Sequence, residues 1–158
     1  MVLESCYSVR NKDGNYLGFE SFPLFDYYMW KGSTSLAHQI HDINWLSPIG
    51  MAFAIARNKY GFDAAYNYLN YSDSYHPNRY GAYLKACVDY LILFGEPFGA
   101  HPADCDIPAE QAAKLRNAAQ DAVFGFERNT GNRERFHYVN GVSVAPEVVV
   151  NPEGPDNS

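Results

Sequence analysis

Ser47-Pro48-Ile49-Gly50-Met51-Ala52-Phe53-Ala54-Ile55-Ala56-Arg57-Asn58-Lys59-Tyr60-Gly61 is the stretch that decides how this chain is organised. Ser-Pro opens a helix well: serine offers a capping oxygen, and proline at the first position loses an N–H that has no helical partner anyway. Arg57 and Lys59 fall in the last turn, where they complement the helix dipole. Gly61 provides the left-handed stop. The first two turns are apolar on every side, so this helix is expected to be the buried centre of the domain, with Phe53 and Ile55 inside.

Upstream, Pro23–Lys31 is strongly aromatic and fits either a strand or a helix. Gly32 is read as its end. Ser33, Thr34 and Ser35 then offer caps for a helix over roughly 35–45. Still earlier, residues 5–11 and 16–21 flank Lys12-Asp13-Gly14-Asn15. Asp-Gly favours the positive φ angles of a tight hairpin, so two strands are expected there. Downstream, 63–71 reads as a short helix and His76-Pro77 lies in a polar break. A helix over about 78–94 carries Tyr80, Leu84, Cys87, Val88 and Leu91 on one face. A last helix over about 108–126 carries Ala112, Leu115, Ala119, Ala122 and Phe126, with Lys114, Asn117 and Asp121 towards water. Asn140-Gly141 between RFHYV and VSVA signals a second hairpin, and EVVV after Pro146 suits an edge strand. The expected fold is one α+β domain over residues 1–150. A small antiparallel sheet from the N- and C-terminal hairpins packs on a bundle of four to five helices. Residues 151–158, NPEGPDNS, read as a disordered tail.

The chain has 158 residues, of which 47% are hydrophobic, enough for one core of ordinary size. Its formal net charge is -6. Arg128, Arg133 and Arg135 form its one basic cluster, diluted by Glu127 and Glu134. That balance argues against a nucleic-acid partner. The longest apolar run, Pro48–Ala56, is about half a membrane span. Glu4 and Arg10 interrupt the first ten residues where a signal peptide carries its apolar run. Cys6, Cys87 and Cys105 give no disulfide framework. A cytoplasmic protein without a membrane segment is expected.

Tyrosine is the compositional signal. Of 13 tyrosines, eight lie between Tyr60 and Tyr90. From Gly61 to Asp106 two basic residues face six acidic ones. Tyrosine supplies stiff, amphipathic contact area and is enriched at interfaces. Tyr80 and Tyr83 fit the buried side of their helix. Tyr68, Tyr71 and Tyr75 are expected at the surface, with Asp63 and Asp73 beside them. These five residues are the candidate contact surface for a protein partner with a basic face.

The chemistry-bearing motifs are weaker. His38 and His41, at i and i+3, are spaced to share a metal, and His101 is a candidate third ligand for a small, metal-dependent hydrolase. No spacing fixes that third ligand, so no metal or other cofactor is expected. A histidine–aspartate phosphohydrolase pattern needs an earlier histidine, and none precedes His38. The two acids flanking Cys105 would raise its thiol pKa rather than activate it. Arg10 followed by Ser33-Thr34-Ser35 has the order found in ADP-ribosyltransferases. There, however, the triplet sits on a strand and a paired glutamate closes the motif, whereas Asn132 stands two residues before Glu134. No phosphate-binding glycine loop, GxSxG elbow or HExxH occurs. The residues therefore point first to a non-catalytic, acidic, Tyr-rich binding domain that occludes a basic site on its partner. Immunity proteins, phage or mobile-element inhibitors of host defence, and adaptors are of this type.

Overall fold

The first two turns of helix α2 (Ile49–Tyr60) are covered on all sides. In the computed structural model the described residues are 2–7, 22–40, 45–62, 69–71, 73, 75–100, 102–124, 138–139 and 142–143. Ile49 through Ala56 are all buried, and Phe53 is 0% exposed. The helix stops at Gly61, whose φ of 73° is the left-handed geometry expected of it. Around α2 pack α1 (Phe22–Gln39), α3 (Arg79–Phe94) and α4 (Ala109–Phe124), and α3 also packs on α4. The shared core includes Leu84, Val88, Leu91 and Ile92 of α3 and Ala112, Leu115, Ala119 and Ala122 of α4. The alanines of α4 let its backbone come close to its neighbours. None of the helices among the described residues is long and apolar enough to cross a membrane.

The α+β expectation is overturned, because the described chain is mostly helical. Strand β1 (Val2–Glu4) pairs in parallel with β2 (Trp45–Ser47), Leu3 opposite Leu46. A parallel pair needs a crossover between its strands, and α1 lies between them in the chain. Strands β3 (Tyr138–Val139) and β4 (Val142–Ser143) are two residues each and pair with one another only, so among the described residues no antiparallel sheet joins the two ends. The start of the expected first hairpin is taken up otherwise. The Ser5 N–H donates to the Ser47 carbonyl at 2.9 Å. The Ser5 hydroxyl then accepts the Gly50 N–H at 3.1 Å. Tyr7 stacks on Phe53, with centroids 4.3 Å apart. Residues 5–7 thus serve the start of α2 instead of entering a β-ladder. The rest of that hairpin, residues 8–21, and the EVVV strand lie outside the described residues, as does the 151–158 tail.

Three local readings change for the same kind of reason. Ser47 does not cap α2; its hydroxyl donates to Asp89 Oδ1 at 2.9 Å, and Ser5 reaches the helix start from elsewhere. Gly32 does not end a segment, since α1 runs straight through it. An exposed helical glycine costs only about 1 kcal/mol relative to alanine, and Ser33 donates its hydroxyl back to the Met29 carbonyl at 2.9 Å. Asp121 does not face water but is 1% exposed. It accepts from Lys59 Nζ at 2.8 Å and Tyr60 OH at 2.9 Å, tying the end of α2 to α4. That bond holds Lys59 above the ordinary ammonium value. A second ion pair, Arg57–Asp26 at 2.5 Å, is buried between α2 and α1.

Phe53→Ala should cost about 3–5 kcal/mol in chemical denaturation, because the cavity opens in a core closed on every side. A loss under about 1 kcal/mol would mean that α2 is peripheral. Gly81→Ala should also destabilise, by about 1–3 kcal/mol, because a Cβ there would sit 2.2 Å from the Leu69 carbonyl oxygen.

Candidate functional site

The segment leading into α3 is built by Asn78. Its side chain caps the helix, accepting from the N–H groups of Tyr80 (2.9 Å) and Gly81 (3.3 Å). The same side chain donates to the Asn70 carbonyl at 3.1 Å, and the Asn78 N–H donates to the Leu69 carbonyl at 2.9 Å. Tyr71 N–H reaches the His76 carbonyl at 2.9 Å, so Asn70 and Pro77 stand across from each other in a β-bridge. Asn70 is therefore bridge-forming, and neither Leu69 nor Tyr71 beside it is helical; residues 63–68 of the expected 63–71 helix lie outside the described residues. The close approach of Leu69 to Gly81 seats this loop on α3. Tyr7 OH donates to the Tyr75 carbonyl at 2.8 Å, which ties the loop to the first segment as well.

Asp73 organises the tip. Its Oδ1 accepts the N–H groups of Tyr75 and His76, both at 3.0 Å, and Oδ2 lies 2.7 Å from His76 Nδ1. Those bonds, the His76 side chain's first, lower the Asp73 carboxyl from 3.8 to about 2. Its charge is thus engaged within the loop. On this framework Tyr71 is 58% exposed and Tyr75 48% exposed. Tyr71, Asp73 and Tyr75 of the candidate surface are brought together on one clamped turn; Asp63 and Tyr68 lie outside the described residues.

No protein-family model matches the chain, and no curated protein or solved structure matches it either.

The other candidates are less collected. His41 and His101 lie outside the described residues, and of His38 only the helical backbone belongs to them. Among the described residues no three metal-ligating side chains come together. Asp104 pairs with Arg116 at 2.5 Å, and the two residues after it turn left-handed, Cys105 at φ 51° and Asp106 at φ 59°. The nearby Cys87 thiol is pushed up to about 12, chiefly by burial.

A second surface was not singled out from the sequence. Leu93 is 66% exposed and Phe94 65% exposed at the end of α3. Tyr90 lies 4.8 Å from Phe94 and stacks on Phe98 at 5.4 Å, centroid to centroid. Beside Tyr90, α3 and residues Phe98, Gly99, Pro102, Ala103 and Cys105 line an open groove of about 360 Å³. The signal was present in the spacing. Tyr83, Ala86, Tyr90 and Leu93 repeat at helical intervals on a face that does not contain Leu84, Val88 and Leu91.

The Asp73 carboxyl should titrate near 2 when followed by carbon NMR, and the Tyr75 and His76 amide resonances should move with it. Because the folded value lies below the ordinary 3.8, the carboxylate's support of the loop is complete above that value. It is lost as pH falls through about 2. A titration midpoint at the ordinary value would show that the Asp73 bonds do not form in solution.

Proposed function

We propose that this protein is a non-catalytic binding domain whose acidic, tyrosine-bearing surface occludes a basic site on a partner protein. The observation that carries the reading is the clamped turn of residues 69–71, 73 and 75–78, on which Tyr71 and Tyr75 are both exposed. A tyrosine on a backbone already held by hydrogen bonds loses little freedom on binding, so its contact area is converted to affinity efficiently. The acid excess from Gly61 to Asp106 would steer a basic partner into contact. Asp63 and Tyr68 remain part of the proposed surface. Asp73 has a different role in it: it shapes the turn that presents Tyr71 and Tyr75. An inhibitor or immunity-type role, encoded by a phage or mobile element, suits such a domain, as does the cytoplasm. Free Cys6 and Cys105 at the surface support a reducing compartment.

The test is capture of the partner from the native host, followed by alanine substitution at Tyr68, Tyr71 and Tyr75 with folding stability measured beside affinity. At least one of these should lose about 2 kcal/mol or more of binding while unfolding is unchanged. Asp73→Ala should weaken binding through loss of loop order, visible in the Tyr75 amide. Association should slow as salt rises, because steering is screened over about 8–10 Å at physiological ionic strength. Wild-type affinity in all of these variants would make the tyrosines part of the fold alone.

A further inference from the structure

The exposed end of α3 combines three features on a surface separate from the clamped turn. The first is a concavity: Tyr83, Ala86, Tyr90, Phe98, Pro102 and Cys105 line the groove of about 360 Å³, at the small end of the range for ligand-sized sites. The second is an apolar apron. Tyr90 connects the groove through its ring contact to Phe94, and Leu93 and Phe94 are both about two-thirds exposed. Contiguous apolar surface beside a pocket marks an interaction site rather than ordinary scattered exposure. The third is charge. Glu96 and Asp106 are exposed in the loop that forms the other wall. The basic side chains of α3 and α4 nearest in sequence to the groove are already engaged, Lys85 with Glu4, Lys114 with Glu110 and Arg116 with Asp104.

The walls also hold their shape. Tyr83 OH donates to the Ala103 carbonyl at 2.8 Å and accepts from Arg116 Nη1 at 2.6 Å. Arg116 in turn holds Asp104, so the loop is fastened to both α3 and α4 across the groove. A site fastened in this way does not have to be assembled on binding.

We propose that this groove is a second docking site, which takes one aromatic side chain of a partner segment flanked by lysine or arginine. The aromatic ring enters between Ala86 and Phe98, where Tyr90 and Phe98 already stack and leave ring faces and edges to receive it. The flanking cations meet Glu96 and Asp106 at the rim. Leu93 and Phe94 cover the neighbouring part of the segment and keep water out of the contact. The proposal shares with the preceding section only the basic character of the partner. It concerns a different surface and does not require Tyr71 or Tyr75.

The experiment uses the full chain, labelled with nitrogen-15, and a blocked peptide carrying one phenylalanine between lysines. Saturable amide shifts are expected at Ala86, Tyr90, Gly99 and Cys105. Replacing the phenylalanine by alanine in the peptide should weaken binding by roughly tenfold or more, the equivalent of one buried aromatic side chain. Exchanging the lysines for glutamates should weaken it further. Ala86→Trp should fill the groove and abolish the shifts while the melting temperature stays within a few degrees. The paired change Glu96→Gln with Asp106→Asn, which keeps a residue tolerant of left-handed backbone at 106, should reduce affinity and its salt dependence without closing the groove. Tyr71→Ala with Tyr75→Ala should leave peptide binding as in the wild type. No saturable shift at the groove, equal binding of the acidic peptide, or full binding by Ala86→Trp would each overturn the proposal and leave the reading of the clamped turn standing. Self-association in sedimentation that Leu93→Asp abolishes would assign the face to a second copy of the chain and overturn it as well. Shifts at the groove that Tyr71→Ala with Tyr75→Ala removes would show one continuous site and overturn its independence.

Discussion

Everything described here depends on the need to enclose Phe53. Its helix has no side that tolerates water over its first two turns, so each neighbouring segment must cover part of it. Tyr7 lies flat on the Phe53 ring, and the missing side chain of Gly81 lets α3 approach the ring's far end. The consequence reaches the surface in two steps. Tyr7, placed by the ring, holds the Tyr75 carbonyl; Gly81, placed by the same ring, receives Leu69. The loop that displays Tyr71 and Tyr75 is therefore fixed by the largest fully buried side chain among the described residues. The proposed contact surface and the core are not separate parts. They are successive layers around one aromatic ring.

The sequence was most legible where periodicity governed. The helices of α2, α3 and α4 stand within a residue or two of where their apolar spacing puts them, because burying a stripe of side chains is a local demand repeated along the chain. It was least legible where a polar side chain has more than one partner within reach. Ser47 could cap a helix or bond Asp89, and only the packing of β2 on α3 decides for Asp89. Asp121 looks like a surface acid on a helical wheel. It is buried because Lys59 and Tyr60, far away in the chain, arrive to satisfy it. The same limit explains the misread topology. A hairpin signal is local, whereas pairing β1 with β2 requires the whole of α1 between them, and nothing in residues 2–4 announces it.

Of the candidate site, exposure at Tyr71 and Tyr75 was legible from the polar break around them. The function of Asp73 was not. An aspartate followed by amides two and three residues on is a turn former as well as a charge, and here the first property absorbs the second. The groove beside Tyr90 was missed for another reason. Leu93 and Phe94 raise the apparent hydrophobicity of α3, and that apolar content reads as core unless the angle around the helix is taken into account. Two of its stripes diverge, and only one faces inward.

Gly50 and Gly81 draw out a last consequence. At each, a single added carbon would meet a backbone carbonyl oxygen, that of Cys6 at 2.1 Å and that of Leu69 at 2.2 Å. Backbone cannot step aside as a side-chain tip does. In evolutionary terms these two, among the described glycines, have no room to gain a side chain while this arrangement lasts. Tyr71 and Tyr75, each about half exposed, can be exchanged at far smaller cost to the fold. A descendant of this chain would be recognised less by its aromatic surface than by this pair of glycines, one at the start of α2 and one at the start of α3.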